Sequence, residues 1–307
     1  MKEAQDNLAQ NFSYFIHDFA MLNLDFQIGV TSTEGFKSNA NYTFDHRPEN
    51  ARLRDGYWGP AGSGVYILNN ETENLNQLFV TNVTLGIEGA GDERAFTSIE
   101  EFFKHPFNSD FLRTDSHLAI IIISDEDDSS YNGKIAHERI IGEKPELYPV
   151  DKFVNFLDSA TESTGETRRY SVSSIHIKPN DLTCMNSIQT GSQKFGHRYE
   201  EFIKKTGGSD DNIISICSKF ADSLEGLSAA IIDSALKSAF KISRRPALNT
   251  ILVKVNGEVI PKSIDGSSGW SYQNPKPDVH LIVFTDDFVP PSGAKVDITF
   301  EPAEFKQ

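Results

Sequence analysis

Ala119-Ile-Ile-Ile-Ile-Ser-Asp-Glu-Asp-Asp-Ser-Ser130 runs four isoleucines straight into four acids flanked by hydroxyls. An apolar run this short, bounded by polar residues, reads as a strand buried on both faces, as in a parallel sheet covered by helices. The acids then stand just past its carboxyl end. In open α/β sheets that edge is where ligands bind, so this loop holds a metal, performs chemistry or merely meets solvent.

The neighbouring segments fit such a sheet. Leu8, Phe12, Phe15, Ile16, Phe19 and Leu22 recur at helical spacing over residues 2–22, and Leu24-Asp-Phe-Gln-Ile-Gly-Val-Thr31 alternates as a strand. Residues 36–70 are rich in Gly, Asn and aromatics, with turns over Gly56–Pro60 and Ala61–Gly64, and read as an irregular excursion. Helices are expected around Leu75–Val83 and Phe96–Phe103, on either side of a break at Gly86-Ile-Glu-Gly-Ala-Gly-Asp-Glu93. A helix over 150–162, a strand over Tyr170–Ile177, a helix near 198–205 capped by Thr206-Gly-Gly208, a short strand at Asn212–Cys217 and a helix over 219–239 follow. The alternation predicts an α/β domain over residues 1–240, doubly wound, with a mainly parallel sheet and helices on both faces. From Lys241 only short strands occur, with Asn256-Gly257 as a hairpin turn. Residues 241–307 therefore read as a small all-β, sandwich-like domain.

The chain of 307 residues carries a formal net charge of -15, which repels phosphate backbones and anionic lipid and disfavours nucleic-acid and membrane-surface partners. No apolar run approaches the roughly 18 residues of a membrane span, and the first residues lack the order of a signal peptide. Cys184 and Cys217 have no metal-type spacing and leave two readings open, inert thiols or one disulfide. The eight histidines, His137 among them, are scattered without a ligand pair, and no nucleophile elbow or phosphate loop is present.

The amphipathic helix, Asp25-Phe-Gln-Ile-Gly-Val-Thr-Ser-Thr33, the Gly-rich break, the Ile-rich strand into Ser124-Asp125 and the final helix, in that order, resemble the von Willebrand factor type A domain. It resembles in particular bacterial exported proteins in which that domain precedes a small β module with a Val-Asn-Gly turn and a Gly-Trp-x-Tyr segment. The resemblance implies a metal-ion-dependent adhesion site holding Mg²⁺, or Ca²⁺ or Mn²⁺, with Asp125 at the position of its last carboxylate. Two other positions depart from the pattern. No Asp-x-Ser-x-Ser precedes the opening helix, which by resemblance implies an N-terminally truncated form with the first, central strand missing. Ala90 stands where a threonine is expected, leaving Glu93 as a substitute donor; its plainer role is an acid at a helix start, where it favours the dipole.

Asp127 is a further candidate ligand, in a second layer or for calcium. With Asp128, Ser129 and Ser130 its plainer reading is a solvated loop. Gly196-His-Arg-Tyr199 reads as a helix start whose Arg pairs across the helix and whose Tyr packs beneath it. Export, which the resemblance implies for a periplasmic or surface location, favours a Cys184–Cys217 disulfide. The expected function is a non-enzymatic, metal-dependent module that binds a protein ligand offering a carboxylate or a basic surface. The alternatives are a metal-dependent hydrolase using the carboxylates at 125–128 and a scaffold with no working metal site.

Overall fold

The computed structural model describes residues 1–21, 25–56, 62–87, 89–113, 116–133, 145–163, 168–188, 193–235, 239–263, 268–276, 279–284, 288–290 and 294–303. Leu22, Leu24, the 57–61 part of the expected turns, Glu88 and His137 lie outside them. The chain is mixed α/β, with one parallel sheet and several small antiparallel ones.

The opening helix α1 (Lys2–Met21) is followed by β1 (Gln27–Gly29), two 3-10 turns (Thr33–Ser38 and Pro48–Ala51) and β2 (Ile67–Asn69). Helices α2 (Leu75–Val83) and α3 (Ala95–Lys104) lead to β3 (Leu118–Ile123), α4 (Val150–Ala160) and β4 (Tyr170–His176). Then come α5 (Leu182–Ser187), α6 (His197–Lys205), β5 (Ile213–Ser215) and α7 (Phe220–Ala235). Strands β3, β4 and β5 pair in parallel in that order, with Ile120 opposite Val172 and Ser174 opposite Ile213.

Period-2 alternation sends the side chains of this sheet to two separate cores. Ile175 and Ile214 pack with Leu8 and Phe12 of α1 and Leu227 of α7. Val172 and Ile213 pack with Phe96 of α3, Phe153 of α4 and Phe202 of α6. Helices therefore cover both faces. The end of α6 follows from its sequence: Gly207 takes φ +85°, and Gly208 N–H and Gly207 N–H donate to the carbonyls of Ile203 and Lys204. These two bonds form a Schellman cap, which a glycine permits without strain.

Two expectations change. The strand at 25–31 does not join the parallel sheet; β1 pairs antiparallel with β2, Ile28 opposite Leu68, in a sheet of their own. The isoleucine strand is not sealed on both faces, since within β3 only Ile122 is fully buried, whereas six of the seven residues of β4 are. Strand β4 has a neighbour on each side, while among the described residues β3 has one only, and its other edge lines a cleft.

The C-terminal part begins as a strand at β6 (Ala239–Ile242), where the alternation of Phe240-Lys-Ile242 pairs with a strand instead of extending the preceding helix to 239. With β9 (Trp270–Lys276) and β10 (Val279–Phe284) it forms one antiparallel sheet. A second contains β7 (Leu252–Val255), β8 (Glu258–Ile260) and β11 (Val296–Thr299). The β7–β8 turn has positive φ at Asn256 (50°) and Gly257 (89°), the pair that a twisted two-residue hairpin requires. Val253, Trp270 and Ile282 sit at the centre of this part's own core, and the Trp270 indole N–H donates to Ile260 O at 3.0 Å.

Candidate functional site at the carboxyl edge of the isoleucine strand

Past Ile123 the chain enters a tight acidic loop, and each of its four acids is taken by a partner from elsewhere in the chain, Arg198 serving two of them. Asp125 is buried and accepts from the Met1 ammonium at 3.2 Å, at the start of α1. The Glu126 Oε2 meets Lys194 Nζ at 3.0 Å, and Lys194 N–H donates to Asp125 O at 3.0 Å. The Asp127 Oδ1 accepts Arg198 N–H at 3.0 Å, capping the first turn of α6. Asp128 Oδ1 accepts Phe96 N–H at 3.0 Å at the start of α3, and its Oδ2 meets Arg198 Nε at 3.2 Å. Ser130 Oγ completes that cap by accepting Thr97 N–H.

The expectation of a solvated loop at 127–130 is thereby corrected. Asp128, Ser129 and Ser130 are buried, because helix α3 begins at Arg94 with no side-chain cap of its own. A helix start with orphan N–H groups and a positive dipole end attracts carboxylates, and here they arrive from a distant loop. Arg198 likewise pairs with the acidic loop and with Tyr148 O, at 2.7 Å, instead of across its own helix. Tyr199 packs fully buried beneath, as the sequence suggests.

Glu93 stands beside this loop. Its carbonyl accepts both the N–H and the Oγ–H of Ser129, and the buried Asp92–Arg94 ion pair at 2.7 Å flanks it. Burial lifts its carboxyl from 4.5 to about 7; a hydrogen bond with Thr33 opposes the rise, and the charges of Glu126, Asp125 and Glu34 add to it. Burial also lifts Asp127 from 3.8 to about 6, against the lowering effect of the Arg198 and Asp128 N–H groups. Asp128 is likewise raised by burial, against the Arg198 charge. Ala90, at the expected threonine position, offers a backbone N–H that donates to Glu34 Oε1 at 2.6 Å.

Among the described residues no group of three or more His, Cys, Asp or Glu is arranged to hold a metal ion. The donors present supply part of a hard-cation site: Asp125 and Glu93 remain beside the cleft, while Asp127 and Asp128 are committed to helix starts and Glu126 to Lys194. Cys184 and Cys217 are joined as a disulfide across 33 residues, with Cα atoms 5.7 Å apart. His176 is buried against Ser174 Oγ at 2.8 Å, and burial depresses it to about 4, so it stays neutral within the core. Lys194 and the Arg198 guanidinium were not legible as partners of the acids, because they lie 68 and 70 residues away and nothing local to them marks the contact.

Comparisons with models of protein families, with curated proteins and with solved structures find no match to this chain. The fold and the site define a mixed α/β domain with an acidic carboxyl edge, followed by β-structure, and no helix among the described residues is long and apolar enough to cross a membrane.

Proposed function

We propose that the chain is a non-enzymatic binding module of the von Willebrand type A kind. It would engage a protein ligand at the carboxyl edge of β3 through a hard divalent ion such as Mg²⁺, with Ca²⁺ or Mn²⁺ as alternatives. The observation that carries this reading is the gathering of enclosed carboxylates there: burial, with a smaller contribution from neighbouring acids, holds Glu93 and Asp127 well above the ordinary range, a situation that a dication relieves by favouring the ionised forms. Asp125, which faces an ammonium, is the first ligand, and Glu93 the second. Asp127 supports them from behind through the α6 cap.

The ion's remaining oxygens come from outside the described donors, in keeping with a site completed by a carboxylate of the bound protein. The doubly wound arrangement belongs to the same proposal, and so does export, which the disulfide supports because such bonds persist in oxidising compartments. A hydrolase using residues 125–128 is the weaker reading, since three of those four acids serve as structural partners.

Calorimetric titration with Mg²⁺, Mn²⁺ and Ca²⁺, repeated on Asp125→Ala, tests the site. Heat of binding that disappears with the substitution is expected. Binding unchanged by it refutes the assignment.

A further inference from the structure

Between β4 and α6 the chain leaves the sheet and returns to it, and Gly196 N–H donates to Ile177 O at 3.0 Å across the neck of this excursion, residues 178–195. The loop carries α5 near its start and Lys194 near its end. Lys194 is what it places on the acidic edge: its Nζ meets Glu126 Oε2 at 3.0 Å, and its N–H donates to Asp125 O. A surface loop with its ends joined is a unit that opens without disturbing the sheet from which it springs.

The bridge between Cys184 in α5 and Cys217 just past β5 ties this loop to the sheet. Met185, Ile188 and Phe195 are only partly buried against the core around Leu8 and Leu227, whereas Cys184 is fully buried there. Helix α5 has six residues, well below the roughly 12–15 at which an isolated helix holds in water, so its order depends on that anchor. The two sulfurs differ in access. Cys184 is 2 % exposed, while Cys217 is open to solvent. Thiol–disulfide exchange starts with a thiolate attacking one of the two sulfurs, so access selects Cys217, and exposed bridges are the reducible ones. The sulfur that would leave, Cys184 Sγ, accepts from Ser215 Oγ at 3.9 Å.

We propose that Cys217 is the attack site for a dithiol reductant, and that the Cys184–Cys217 bridge is a reducible latch holding Lys194 over the acidic edge. The first thiolate of the dithiol bonds to Cys217 Sγ, the S–S bond breaks, and Cys184 leaves with the electron pair and takes a proton. The reductant's second thiol then attacks its own sulfur in the mixed disulfide. Cys217 leaves as a thiol, and the reductant departs as a disulfide, oxidised by two electrons. Without the bridge the loop opens about its neck, α5 melts and Lys194 draws away. Glu126, whose side chain is 7 % exposed, then loses its counter-charge, and the edge becomes more negative. The inference goes beyond the metal reading and needs no ion at Asp125.

The test uses the native 307-residue chain in EDTA, so that failure of the metal reading leaves it unaffected. Brief exposure to reduced glutathione, quenched with acid and mapped by mass spectrometry, is expected to place the mixed disulfide on Cys217 over Cys184 by at least about tenfold. Full reduction with dithiothreitol is expected to speed hydrogen exchange at the Ile188 and Lys194 amides by about tenfold or more, with the β4 amides and the far-ultraviolet spectrum unchanged. The double substitution Cys184→Ser with Cys217→Ser is expected to reproduce that pattern; should it fail to fold, the reduced parent decides alone. Glutathione found chiefly on Cys184, or on neither cysteine until denaturant is added, overturns the attack site. Exchange at Lys194 that reduction does not change overturns the latch. Acceleration of the β4 amides together with Lys194 also overturns it, since the bridge is then a staple of the whole domain.

Discussion

Replacing the Glu93 carboxyl by an amide of the same shape, Glu93→Gln, isolates the electrostatic cost of the acidic edge. The carboxyl titrates at about 7 in the folded protein and at 4.5 when exposed. Between those values the folded state retains a proton that the unfolded state has lost, so stability falls as pH rises through the window and is level above it. At about 1.36 kcal/mol per pH unit the displacement is worth roughly 3 kcal/mol at pH 8, and under about 0.5 kcal/mol at pH 4.5. The amide carries no such cost. Glu93→Gln is therefore expected to be more stable than the parent by about 3 kcal/mol at pH 8, with the gap closing at pH 4.5. The parent's own pH curve is a poor assay. Asp127, raised to about 6, acts in the same direction as Glu93, while neutral His176, lowered to about 4, makes stability rise with pH between about 4 and 6.5. The difference between variant and parent cancels both. Urea denaturation followed by circular dichroism at the two pH values, in EDTA, measures it. A gap that is the same at both pH values, or a parent more stable at pH 8, refutes the burial of a strained carboxyl at this edge.

Three further outcomes follow from the same geometry. Asp128→Ala removes the carboxylate that caps Phe96 N–H at the start of α3 and leaves the largely buried Arg198 without its partner; a loss of about 3 to 5 kcal/mol is expected in urea denaturation, and a loss below about 1 kcal/mol would mean the loop is solvated after all. The double substitution Cys184→Ser with Cys217→Ser opens a loop spanning 33 residues and is expected to cost about 4 kcal/mol by the chain-entropy relation, read as a lowered urea midpoint equal to that of the reduced parent. Gly207→Ala places a Cβ in open space at φ +85°, so only backbone strain of about 1 kcal/mol is expected, with no change in cation binding by calorimetry.

Much of the element order is readable because it rests on short-range patterns. The helical spacing of Leu8, Phe12, Phe15 and Ile16, the turn at Asn256-Gly257 and the cap at Gly207 each depend on residues within a few positions of one another. The isoleucine run is a strand for the same reason. Its half-exposed state was not legible, because burial on a second edge depends on whether another strand lies alongside, and β1 turns instead to β2. The fate of the acids was equally hidden. A block of consecutive carboxylates looks like a single ligand set when read along the chain.

Sequence alone determined that a parallel α/β part precedes β-structure, and that an apolar strand delivers acids to its carboxyl end. Local hydrophobic period and turn chemistry decide those features, and they act over one or two turns of chain. Only the tertiary structure decided what the acids do. The partners of Asp128 and Asp127 at Phe96 and Arg198 lie 32 and 71 residues away, and the two cysteines meet across 33. Helix starts with orphan N–H groups attract carboxylates from whatever segment packing brings near, and that is set by the assembled layers rather than by neighbouring letters. Of the acids after the isoleucine strand, that assembly leaves Asp125 and Glu126 lining the cleft, Asp125 beside the Met1 ammonium and Glu126 beside Lys194.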